Sequence, residues 1–229
     1  MGAPSLAMPI WRAQPGAPAI CAAFKLRPRR HCQLLLACHG WHGPGGASAD
    51  YRSPLKSEFT MTSPLYNASV LVLQQMLRAL SDVLKKAEDH ATQKNIDPHA
   101  LLQARLFPDM FALARQVQIA ADFSKGIASR LAGAEVPSWP DSETSFADLQ
   151  ALIAKALAHV ESFDPAQFDL SESREIVLRP GTPKEKKLNA SAYLLHYGLP
   201  QFFFHVTTAY AILRHNGVEV GKRDYMGAY

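Results

Sequence analysis

The chain has 229 residues, 48% apolar and 19% charged, a profile that fits a globular domain with a real core. Its formal charge of +4 is unevenly placed: residues 1–60 carry seven Lys/Arg and two acids, whereas the remaining 169 carry 17 and 18. A nearly neutral body has no general attraction for nucleic acid or an anionic membrane, and no apolar run approaches a membrane span, so neither partner is expected.

All three cysteines (Cys21, Cys32, Cys38), seven of the 16 prolines and six of the 13 glycines also fall in residues 1–60. No period of 2 or 3.6 is sustained there. Arg29 and Arg30 precede Leu34, Leu35, Leu36, Ala37 and Cys38 in the manner of an export signal. That apolar stretch is about five residues, against roughly 7–15 for a signal core. Cys32, Cys38, His39 and His42 are zinc-type ligands, but no second half of a site follows. The absence of acids before Asp50 is transit-peptide-like, while the Pro/Gly content opposes the amphipathic helix such peptides form. Met61 stands directly before the first strongly periodic segment. The expected organisation is an upstream extension, 1–60, ahead of one helical domain, 61–229, in a cytoplasmic protein. That domain has no cysteine, so it has neither a disulfide nor a thiol nucleophile.

The body reads as four helices and a hairpin. Leu73, Met76, Leu77, Leu80, Val83, Leu84 and Ala87 recur every three or four residues and predict a helix over 64–94. Asp97 then supplies an N-cap and Pro98 a first helical residue for a second helix, 98–131, interrupted near Phe107 and Pro108 and closed by Gly133. Residues 135–144 are too proline-rich for a helix. Ser145 and Asp148 have capping-box spacing and start a third helix. Its apolar face is Phe146, Leu149, Ile153, Ala156, Leu157 and Val160, and Asp164-Pro165 ends it. A strand over 175–179, a turn at Pro180-Gly181 and a return over 184–188 predict a hairpin whose lysines protect its edge. A fourth helix, 190–215, kinks near Gly198-Leu199-Pro200 and stops at Asn216-Gly217. The fold class is therefore all-α, an antiparallel four-helix bundle with a short β-hairpin between the third and fourth helices.

Gln201 and His205 lie four residues apart and share a helix face, which Thr208 and Ile212 continue. On the second helix Arg105, Asp109 and Gln116 follow spacings of four and seven. Where these faces meet, Gln116, Gln201 and His205 converge as a ligand-pocket candidate, with Arg105 and Asp109 pairing near one end. The competing reading of His205 is a hydrogen-bonded core histidine. Phe202, Phe203 and Phe204 mark either a helix buried on most sides or a dimer face. His90, His99 and His159 fall on polar helix surfaces by pattern, and His215 sits in the last turn.

The order Gln201-x3-His205-x8-Arg214-x2-Gly217 resembles the last helix of the DinB-like superfamily of four-helix proteins. Residues 104–111, 130–133, 204–208 and 213–217 extend the likeness to one of its uncharacterised families of small microbial proteins. The resemblance covers almost all of the body and none of residues 1–60. It implies a homodimer, and a divalent metal such as zinc or nickel held by three histidines. Here only His205 matches a ligand position; Gln201 stands where the second histidine would be, and Gln116 is the candidate for the first. Neutral amides are weak ligands for these metals, so the resemblance is to a degenerate site. Two readings follow. One is a homodimeric bundle whose former metal position is a polar core or small-ligand pocket, with no cofactor. The other is a metal-dependent enzyme of DinB-like type, such as a small-thiol transferase. No Ser-His-Asp order or phosphate-binding glycine loop supports other chemistry.

Overall fold

The computed structural model describes residues 63–169 and 173–229. The expectations for residues 1–60, including the signal, zinc and extension readings, lie outside the described residues.

Helix α1 is continuous over 64–94: a turn Pro64–Tyr66, a π-helical turn Asn67–Leu71 and the long helix Val72–Lys94. All seven residues of its predicted stripe are buried. Asn95 ends it in the left-handed conformation (φ 53°). Asp97 caps the next helix through the His99 amide (3.0 Å), as its spacing predicts, but α2 is only Pro98–Leu102. Residues 103–112 form a loop, closed where the Leu113 amide donates to the Ala104 carbonyl (2.9 Å). The second helix expected over 98–131 is thus two helices, because Pro108 supplies no N–H and restrains Phe107. Helix α3, Leu113–Ala132, ends at Gly133 (φ 74°).

Helix α4, Phe146–Glu161, starts in the predicted capping box: the Asp148 amide donates to Ser145 Oγ (3.1 Å) and the Ser145 amide to Asp148 Oδ2 (3.0 Å). Phe146, Leu149, Ile153, Ala156 and Val160 are buried, and Leu157 is half-buried. A 3₁₀ turn, Pro165–Phe168, precedes the hairpin. Strands β1, Glu175–Leu178, and β2, Lys186–Asn189, pair antiparallel with Ile176 opposite Leu188. Helix α5 spans 190–215 as Ala190–Tyr193, a π-helical turn Leu194–Gly198 and Leu199–His215. The π turn takes the place of the expected kink, immediately before Pro200. A short helix α6, Lys222–Met226, was not legible as an element; it packs on α1, where Gln75 Nε2 donates to the Met226 carbonyl (2.8 Å) and Lys86 pairs with Asp224 (2.6 Å).

The four long helices form the four-helix bundle expected from the sequence, though not every neighbouring pair in it is antiparallel. Their main contacts run α1 to α4, α4 to α3, α3 to α5 and α5 to α1, which puts α1 and α3 at opposite corners. Helices α3 and α5 run antiparallel: Gln116 meets His205, while Arg130 meets Tyr193. Helices α3 and α4 run in the same direction, because Ser129 meets His159 near one end and Gln118 meets Glu143 near the other. Residues 133–145 therefore double back along α3, pinned by the Arg115–Asp141 ion pair and by Trp139, whose ring lies 4.3 Å from Lys125 Nζ and 4.5 Å from Lys155 Nζ. Among the described residues, no helix is long and apolar enough to cross a membrane.

Candidate functional site

Helix α3 carries Gln116 into the interior one turn after its start, and α5 carries His205 to the same level. Both side chains are buried, and His205 Nδ1 lies 2.7 Å from Gln116 Oε1. The other end of the amide fixes the roles. Gln116 Nε2 donates to the Phe111 carbonyl (3.1 Å), so Oε1 is the acceptor and His205 Nδ1–H the donor. In its neutral form His205 then carries its lone pair on Nε2. Phe123 stacks on the ring (5.9 Å, 17°), and Phe204 meets it edge-on (5.2 Å, 87°). Burial, and secondarily the positive Arg115, lowers the His205 pKa below its ordinary value.

The two-helix arithmetic thus brings Gln116 and His205 together. Gln201 lies one turn from His205, half-buried, and no side-chain hydrogen bond joins it to either partner among the described residues. Arg105 and Asp109 are not placed on the face of Gln116. They are exposed in the 103–112 loop, and no ion pair links them among the described residues. Their expected i, i+4 pairing required a helix through Pro108, which that residue prevents.

The donor set does not fit a transition-metal centre. The oxygen of Gln116 is committed to His205, and Gln201 offers only an amide. No group of three or more His, Cys, Asp or Glu side chains able to hold a metal occurs among the described residues.

His159 is not on a polar surface. It is half-buried, bonds Ser129 Oγ through Nε2 (2.8 Å), and meets Trp139 and Phe163 edge-on. Burial, then the nearby Lys125, lowers its pKa. Of the three consecutive phenylalanines, Phe202 is fully buried, Phe203 half-buried and Phe204 54% exposed. The run therefore crosses from core to surface within a single turn.

Both depressed histidines give stability a defined pH dependence. Below about pH 6.5 the unfolded chain takes up protons before the native His205 and His159 do, so stability is full above that pH and falls as pH drops. Urea unfolding at pH 7.5 and 5.5 checks this. A His205→Gln variant is expected to lose less stability across that interval than the parent, and an equal loss in both would contradict the assignment.

A second polar feature escaped the sequence reading. Arg115, Asp122 and Arg130 of α3, Arg179 of the hairpin and Tyr197 of the π turn surround a cavity of about 330 Å³ that is also lined by Phe123, the ring stacked on His205. The signal was present in part, since positions 115, 119, 122, 123 and 130 share one helical face.

Residues 65–226 match the family described as Domain of unknown function (DUF1993). A solved structure of a DinB family member protein from Shewanella denitrificans shares 42% sequence identity, with a TM-score of 0.68 over 72% of this chain and 93% of that one. No curated protein matches the chain. With the family match covering well over half of the sequence and the bundle shared with a DinB family member, the chain belongs to DUF1993, an uncharacterised DinB-like family.

Proposed function

We propose that this DinB-like protein is a homodimeric binding protein rather than a metal enzyme, with the superfamily's metal position kept as a polar core contact. The 2.7 Å Gln116–His205 hydrogen bond carries this reading. It uses the one strong ligand candidate, His205, to satisfy a buried amide, and buried polar groups left unpaired are costly. The exposed Phe204, together with Phe107 and Phe111 of the loop, supplies apolar surface suited to a subunit contact.

One observation favours the second reading, a metal-dependent small-thiol transferase. Donation from Nδ1 to a fixed acceptor is also how a metal-ligating histidine is oriented, and it leaves Nε2 with a lone pair. Elemental analysis of untagged protein beside a His205→Ala variant separates the two. The expected result is no stoichiometric zinc or nickel in either, and a melting temperature that ignores both ions. Stoichiometric metal that disappears in the variant would overturn the first reading. Light scattering is expected to give a dimer mass; a monomer removes the homodimer from the proposal.

A further inference from the structure

We infer that the cavity between α3, the π turn of α5 and the hairpin is a binding site for a small organic anion: a carboxylate or phosphate head on a compact apolar body. The inference goes beyond the reading above, because it requires neither dimerisation nor any ligand at His205.

Three arginines line the cavity, Arg115, Arg130 and Arg179. Its one acid, Asp122, is already paired with the buried Lys125 (2.6 Å), and Arg115 is paired with Asp141. Arg130 and Arg179 have no carboxylate partner among the described residues. Two arginines without a carboxylate partner lining one concave space make it positive, and their planar forks suit bidentate oxyanions.

Arg130 is held in place before any ligand arrives. It donates to the Gly126 carbonyl (3.1 Å) and to Tyr193 Oη (3.3 Å), folding back along its own helix. That position exists because residue 126 lacks a side chain: a Cβ there would lie 2.5 Å from Arg130 Nη1. Arg179 comes from the end of β1 with its backbone in the left-handed region (φ 50°), uncommon for a residue with a side chain.

The remaining wall is aromatic and aliphatic. Phe123 and Tyr197 meet edge-to-face (6.0 Å, 62°), and Ile119 and Leu178 complete that side. A cavity of about 330 Å³ is at the small end of ligand pockets, so it fits a compact metabolite and excludes a polymer. A bare inorganic ion would leave the aromatic wall unused.

Isothermal titration of the full chain tests this with three probes of one shape: benzoate, phenyl phosphate and uncharged benzamide. The expected result is saturable binding of at least one anion, none of benzamide, and affinity that falls with added salt. Whichever anion binds distinguishes a carboxylate from a phosphate head. Arg179→Met is expected to weaken that binding at least tenfold with an unchanged melting temperature, since Arg179 is exposed and outside the core. Gly126→Ala, which displaces Arg130, should weaken it by a second route. Heat from neither anion at millimolar concentration, equal binding of benzamide, or full affinity in Arg179→Met would each overturn the proposal. A metal-free or monomeric protein would leave it intact.

Discussion

Phe202→Ala is expected to cost roughly 3–5 kcal/mol, the range for removing a buried aromatic ring. At roughly 2–4 °C per kcal/mol for a domain of this size, the melting temperature falls by about 6–20 °C. Phe202 is 0% exposed and packs in the core with its ring 5.8 Å from that of Phe203. A cavity left there lies in the close-packed core of the bundle and cannot close without moving whole helices. Phe204→Ala, two positions along, is expected to change stability by less than about 0.5 kcal/mol, because more than half of that side chain is in solvent. Thermal unfolding of the pair side by side checks the prediction. Similar losses in both would mean that the helix is not rotated as described.

Gly198→Val is the second large effect, expected to cost roughly 2–3 kcal/mol, toward the upper end for overpacking. A Cβ at position 198 would stand 2.9 Å from Ile127 Cγ1 and 3.1 Å from its Cδ1. Here α5 leaves its π turn against Ile127 of α3. A branched side chain must push the two helices apart along the line that carries both the Gln116–His205 pair and the arginine cavity. The double variant Gly198→Val with Ile127→Ala returns the space. Its cost is expected to fall well below the sum of the two single losses when measured by denaturant unfolding. Simple additivity would show that the glycine has a backbone role and not a spatial one.

Much of this architecture was legible because its signals are local. Asp97-Pro98, the Ser145–Asp148 box, Gly133 and Asn216-Gly217 each act on hydrogen bonds within a turn, so they work wherever the helix ends up. The meeting of Gln116 and His205 followed from face arithmetic on two separate helices. The same arithmetic failed for Arg105 and Asp109 because it was carried through Pro108, where the helical phase is lost. The order of helices around the bundle was hidden for another reason. An apolar stripe states that a helix has a buried face, not which neighbour covers it, so the shared direction of α3 and α4 had no local sign. His159 looked exposed because its cover, Trp139, comes from a connector with no periodicity. The arginine cavity joins α3 to a hairpin residue about 50 positions later, a juxtaposition only tertiary structure makes.

The diagonal placement of α1 and α3 has a consequence for how the chain is made. Synthesis delivers α1 first, but the next long helix does not cover it; its apolar stripe is closed by α4 and α5, and finally by α6. A growing chain of this topology cannot bank successive helical hairpins as it emerges. It holds Leu73, Leu77, Leu80 and Leu84 uncovered until residues beyond 146 have left the ribosome. Native contacts are correspondingly far apart in sequence, which places this mostly helical protein among slower folders than an up-and-down bundle of equal length.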